Sequence, residues 1–297
     1  MVQLRRNHSS NNKGLVTTFR LIIFLIIAVI ALVGSFIYYK KTFLNSSTYI
    51  QEIDYSDRTF LPSATGEIVF HKYYTLSYVE KYELAEWTAY MLNKDLLNKP
   101  NVDRFQNFIP DYNVSTRSSF YSDYANSGYI RGHLVPAGDM AFDTVAMRES
   151  FYMSNITPQH RAFNNGIWKE LEENIRDWTY KSETLYIITG PVLTNPITTI
   201  GIENRVTVPS AFYKVIMDYS SPEKKGIAFI IPNELSVRRL EQYMCTIDDV
   251  ERETGLDFFN EMINDEEEEK LESMADKNLW KVSEKRYQLR LNKWNYE

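Results

Sequence analysis

The apolar and polar positions follow one pattern at the start of the chain and another after it. Residues 21–39 read LIIFLIIAVIALVGSFIYY, 19 positions without a charge, which as a helix would extend about 28 Å and match the core of a bilayer. Arg5, Arg6, Lys13 and Arg20 precede this block, and Lys40 and Lys41 follow it. The bias of positive charge toward the cytoplasmic side then turns the N-terminus inward. The expectation is a cytoplasmic leader over 1–20, a single transmembrane anchor over 21–39, a stalk over 40–60 and an extracytoplasmic body. A cleaved signal peptide is the rival reading, but its apolar region is usually about 7–15 residues long and ends in a small-residue site, which these residues lack.

Beyond residue 60 the apolar runs are short and end at turn residues. Residues 73–78, 185–188, 211–217 and 226–231 are β-branched or aromatic and predict strands. Residues 81–93 carry Trp87, Tyr90 and Met91 on one stripe and read as a helix; residues 167–180, with Trp168, Leu171, Ile175 and Trp178 at spacings of three and four, read as another. No Gly/Ser-rich or Pro-rich linker divides the chain before the acidic run at 265–269. One mixed α+β domain over 61–262 is therefore expected, with a charged, solvated appendage over 263–297.

A hydrophobic fraction of 44% with 24% charged residues excludes a disordered chain. The 21 Tyr and 16 Phe fit well-filled cores more readily than base-stacking platforms. A lone Cys245 excludes an intramolecular disulfide and a cysteine-rich zinc site, and its surroundings read as core. The formal charge is −6, yet the first forty residues hold five cations and no acid, so the remainder carries −11. An acidic body of that kind repels phosphates unless a local basic cleft or a bound cation intervenes.

Four histidines are present: His8, His71, His160 and His133, the last inside Tyr129-Ile130-Arg131-Gly132-His133-Leu134-Val135-Pro136. Alone, an Arg-Gly-His triplet carries little. A second segment strengthens it, because Asn155, Asn164 and Asn165 gather before a helix whose apolar face is clear and which carries Glu172. A hard cation such as magnesium takes oxygen ligands and keeps most of its waters, so one amide oxygen and a substrate phosphate suffice for it. Asn164 fits that role. Glu172 lies eight residues on, about 12 Å if all helical, and so would act through a metal-bound water. Hydrolysis of a phosphodiester further needs a base for the water and cations for the charge developing on phosphorus. His133, Arg131 and Arg104 are of those types.

With these residues in place, the chain resembles the DNA/RNA non-specific endonuclease family, the ββα-metal or His-Me finger nucleases. The likeness runs through YTLSYVEKYELAEWTAYML, RGHLVPAGDM, SNITPQHRAFNNGIWKELE, YIITGPVL, VPSAFYKVI, AFIIPNE and CTIDDVERETGLDFF, in that order. The resemblance implies a central antiparallel sheet flanked by helices. It also implies a metal-dependent, sequence-non-specific endonuclease acting on DNA and RNA and leaving 5′-phosphate ends. His133 takes the position of its general base, Asn164 that of its protein ligand to Mg2+ (with Mn2+ or another divalent cation as substitutes), Glu172 that of the acid holding a metal-bound water, and Asn155 that of an asparagine orienting the site. Arg131 and Arg104 match its phosphate-binding arginines. The expected partners are nucleic acid through its phosphates, the bilayer through the N-terminal helix, and a second copy of the chain in a homodimer. One position departs: the family has an acid before Arg-Gly-His, and here it is Ile130, with Asp139 or Asp123 as substitutes. Two alternatives follow, a catalytically weakened membrane-tethered nucleic-acid-binding module and a structural envelope protein.

Overall fold

The computed structural model describes residues 20–23, 25–36, 57–220 and 223–297. The leader up to residue 19 with His8, positions 24 and 37–39 of the expected anchor, and the stalk up to residue 56 lie outside the described residues. The chain divides into two units, Met1–Glu52 and Ile53–Glu297. In the first, residues 20–23 and 25–36 are helical. Among the described residues, no helix is long and apolar enough to cross a membrane, which corrects the expectation of a transmembrane anchor over 21–39.

The second unit is built on a seven-stranded antiparallel sheet in the order β1-β2-β3-β6-β9-β10-β11. The strands are β1 (Glu67–Phe70), β2 (Thr75–Val79), β3 (Leu84–Asn93), β6 (Thr184–Val192), β9 (Ala211–Asp218), β10 (Lys225–Pro232) and β11 (Met244–Cys245). The four predicted strands fall on β2, β6, β9 and β10. The helix expected over 81–93 is instead the strand β3. All ten of its residues are buried, because both faces of this central strand are covered. Apolar residues then occur at odd and even positions alike and imitate a helical stripe. Its one charged residue, Glu86, is fully engaged by Thr65, Gly66 and Ser77.

Alternate sheet residues serve two cores. On one face Tyr90, Leu92, Ile187, Phe212 and Phe229 pack with Phe163, Trp168, Leu171, Ile175 and Trp178. On the other, Met91, Ile188, Tyr213, Val215 and Ala228 pack with Ile247, Val250, Phe258 and Leu271. The helices are α1 (Lys94–Leu97), α2 (Thr144–Glu149), α3 (Lys169–Thr179), α4 (Ile247–Thr254), α5 (Asp265–Glu272) and α6 (Glu284–Asn292). The helix expected over 167–180 is α3, preceded by a π-helical turn, Phe163–Trp168. Two small hairpins complete the unit, β4 (Ile130–His133) with β5 (Ile156–Gln159), and β7 (Thr198–Ile200) with β8 (Val206–Val208).

Residues 263–297 are not the solvated appendage expected. Trp280 is 1% exposed and meets Trp178 edge-on at 5.1 Å, while Trp178 Nε1 donates to the Lys281 carbonyl at 2.9 Å. Arg290, fully buried, pairs with the equally buried Glu170 and donates to the carbonyls of Ser236 and Arg238. Cys245 is half-buried and burial pushes its thiol up to about 12, which leaves it unreactive.

Candidate active site

The hairpin β4-β5 sets His133 opposite Ile156, Gly132 opposite Thr157 and Ile130 opposite Gln159. Gly132 is required here, since a Cβ at this position would overlap the Gln159 side-chain amide. That contact lets Gln159 lie flat across the hairpin. Its Nε2 donates to Thr157 Oγ1 at 3.1 Å, and its Oε1 accepts from Asn164 Nδ2 at 2.6 Å. Asn164 and Asn165 lie in the π-helical turn, just before its one non-helical residue, Gly166, at φ −96° and ψ −106°. With its nitrogen held by Gln159, the Asn164 amide presents its oxygen as the free group.

Arg104, His133, Asn164 and Glu172 line one cleft of about 330 Å³, together with Asn165, Lys169, Glu173 and Arg176. His133 packs against Phe151 at 4.8 Å and Phe108 at 5.6 Å. Its Nε2 is buried with no hydrogen-bond partner among the described residues. Burial, and then the Arg104 guanidinium, push this imidazole down to about 3, so it is neutral at neutral pH. Arg104 is exposed, with Cζ 5.1 Å from the centre of the Phe151 ring.

Glu172 occupies the first turn of α3. Burial raises its carboxyl, and Arg176 and Lys214 oppose that rise. Arg176 Nη2 lies 3.9 Å from Glu172, while Arg176 Nε donates to Asp139 at 2.7 Å and Tyr90 donates to the same carboxylate at 2.6 Å. Lys214, a fully buried residue of β9, donates to Thr189 at 2.6 Å and stands 5.0 Å from the Trp168 ring centre.

Two of the expected site residues stand outside the cleft. Arg131 stacks on Tyr121, with Cζ 3.9 Å from the ring centre, and donates to its hydroxyl at 3.2 Å. Asn155 is fully buried and acts on backbone: it accepts from Val135 N at 2.9 Å and donates to Val135 O at 3.0 Å and Ser150 O at 2.8 Å. It thus holds the turn after His133. Neither Asp139 nor Asp123 lines the cleft in place of the acid missing at Ile130. Asp139 serves Arg176 and Tyr90, while Asp123 caps Phe120 N at 2.8 Å and accepts from Asn204 at 2.7 Å. The other described histidines have structural partners, His71 with Asp111 at 3.0 Å and His160 Nδ1 with Ala162 N at 3.2 Å.

Gln159, Arg176 and Lys214 were missed in the sequence. Arg176 had a visible signal, standing four residues after Glu172 on the same helix face. Lys214 had a weaker one, a single charge inside the apolar run VPSAFYKVI.

Residues 55–264 match the model of the DNA/RNA non-specific endonuclease family. The chain is similar to the mitochondrial nuclease EXOG of Danio rerio, 32% identical over 75% of this chain and 68% of that one. It is likewise similar to the mitochondrial nuclease EXOG of Homo sapiens, 35% identical over 63% of this chain and 55% of that one. Nuclease C1 of Cunninghamella echinulata var. echinulata is 33% identical over 68% of this chain and 86% of its own. Among solved structures, a chain of the EndoG/EndoGI complex, described as showing the mechanism of EndoG inhibition, superposes with a TM-score of 0.62. It is 30% identical over 67% of this chain and 87% of that one. The expectation of a single-pass membrane protein with an extracytoplasmic domain is corrected here, because the EXOG relatives are mitochondrial nucleases and no described helix suits a bilayer.

Proposed function

Because the chain belongs to the DNA/RNA non-specific endonuclease family, we propose that it is a metal-dependent endonuclease that hydrolyses phosphodiester bonds of DNA and RNA in this cleft. The observation that carries the reading is that Arg104, His133, Asn164 and Glu172 line one cleft. The donor set suits a hard divalent cation, since the Asn164 amide oxygen is turned out by Gln159 and a carboxylate, Glu172, stands in the same cleft. Asn164 would hold magnesium, or manganese in its place, with Glu172 beside it. Such a cation supplies positive charge to the phosphate and the leaving oxygen.

The remaining work belongs to the chain's own residues. His133, neutral and lining the cleft, takes the proton of the attacking water. Arg104 binds the phosphate whose charge grows in the transition state. Arg131, held on Tyr121 outside the cleft, meets a phosphate flanking the scissile one. Asn155 fixes the backbone that carries His133. Departure of the 3′ oxygen leaves 5′-phosphate ends. Contacts to phosphate and sugar carry no base information, so cleavage is insensitive to sequence.

Ile130 favours a second reading, a nucleic-acid-binding module with weakened catalysis. Incubating the full chain with supercoiled plasmid or single-stranded RNA in Mg2+ separates the two. The enzyme degrades both to a smear and stops in chelator; retention of uncut nucleic acid in every divalent metal would establish the binding module instead.

A further inference from the structure

On the face of the sheet opposite the cleft, α4 and α5 bring a group of carboxylates together. Asp248 and Glu251 stand three residues apart on α4, and Glu268 and Glu272 four apart on α5, so each pair shares a helix face. Oxygen atoms of Asp248, Glu251 and Glu272 lie within 4.8 Å of one another. Glu272 is only 4% exposed, and its Oε1 is buried without a hydrogen-bond partner among the described residues. Glu268 Oε1 is likewise buried and unpartnered. The charges acting on Glu272 are all acidic, namely Glu251, Glu268, Asp248 and Asp257. Arg252 acts on Asp248, but its guanidinium is already taken by Asp249 at 2.7 Å.

A buried carboxylate with neither a donor nor a cation is costly, and like charges beside it add to the cost. Some positive species must therefore balance the cluster. Calcium takes oxygen ligands at about 2.3–2.6 Å in flexible geometry, so ligands on opposite sides of the ion stand about 4.6–5.2 Å apart. Three oxygens no more than 4.8 Å from one another fit around one such ion. Magnesium, at about 2.0–2.1 Å with strict octahedral demands, is the poorer match.

We propose that Asp248, Glu251 and Glu272 form a calcium site that ties α5 to α4 on the face of the sheet away from the cleft. The ion would act on stability rather than on the phosphodiester, by fixing the segment that closes the second core through Ile247, Val250 and Leu271. The competing occupant is a proton: without a cation, burial and then the neighbouring carboxylates push Glu272 up to about 9.

Calorimetric titration with CaCl2 decides between the two. It is run on the full chain, on Asn164→Ala, which removes the ligand proposed in the cleft, and on Glu272→Gln, with melting measured in parallel. One calcium is expected to bind Asn164→Ala as it does the wild type, and to be lost in Glu272→Gln. At a hundredfold excess over Kd the melting temperature of the first two should rise by about 5–10 °C and that of the third should not. Glu272→Gln keeps its shape and removes a clustered charge, so without calcium it should melt no lower than the wild type, which shows that it folds. Calcium binding that disappears in Asn164→Ala, or that survives unchanged in Glu272→Gln, overturns the site; so does a wild type that takes up no calcium, and the proton then fills the place.

Discussion

Replacing Gln159 by leucine should separate metal positioning from chemistry. Gln159 is fully buried, accepts from Asn164 Nδ2 at 2.6 Å and donates to Thr157 at 3.1 Å. Leucine keeps most of the volume and removes both bonds, so the Asn164 amide becomes free to turn its nitrogen toward the cleft, where it repels a cation. Loss of a partner that orients a metal ligand typically costs about 10–100-fold in metal affinity, equivalent to about 1.4–2.7 kcal/mol. The fold should lose about 1 kcal/mol for each of the two hydrogen bonds, about 2 kcal/mol together. The assay is the initial rate of plasmid cleavage against Mg2+ concentration. Half-saturating Mg2+ should rise by that factor of about 10–100, and saturating metal should restore most of the wild-type rate. Gly132→Ala presses on the same amide and should shift metal dependence the same way, with about 1–3 kcal/mol of overpacking added. An unchanged half-saturation point in both variants would refute the idea that Gln159 sets the orientation of Asn164.

Further outcomes follow from the same geometry. Lys214 lowers the Glu172 carboxyl, so Lys214→Met should raise it. If ionised Glu172 is needed, the acid limb of the pH–rate profile then moves to higher pH, and an unmoved limb excludes Glu172 as its source. The folded-state value of His133, about 3, lies below the ordinary 6.5. The unfolded chain therefore binds more protons between those values, and this share of stability is present above pH 6.5 and lost as pH falls toward 3. His133→Asn should accordingly show a smaller drop in urea stability than the wild type from pH 7 to pH 4.5; equal drops would show that His133 is not held neutral by the fold. Arg290→Leu leaves Glu170 buried without its partner and should cost about 3–5 kcal/mol in chemical denaturation. A cost under about 1 kcal/mol, the size of an exposed pair, would mean that the C-terminal segment is not held by that ion pair.

The strands β2, β6, β9 and β10 were legible because each is an apolar run closed by turn residues. The strand β3 was not: burial on both sides erased the alternation that marks a half-exposed strand, and Trp87, Tyr90 and Met91 then fell on a helical spacing by accident. His133, Asn164 and Glu172 were legible as ordered motifs. Arg104, Arg131 and Asn155 were legible as residues, but only folding placed Arg104 in the cleft and the other two outside it. Gln159 and Lys214 stayed hidden because their roles depend on which side chain lies beneath them, and no spacing encodes that. The 263–297 segment misled by its charge, since Trp280 and Arg290, the residues that dock it, are few among many exposed acids.

The most direct test of the central claim is the rate of supercoiled plasmid cleavage in Mg2+ by the full chain, measured beside His133→Ala and Asn164→Ala. The wild type should cut and stop in chelator, and removing the base should lower the rate by about 10²–10⁴-fold, with a comparable loss for Asn164→Ala at limiting metal. A wild type that is inert in every divalent metal, or a His133→Ala protein that cuts at the wild-type rate, would contradict the account.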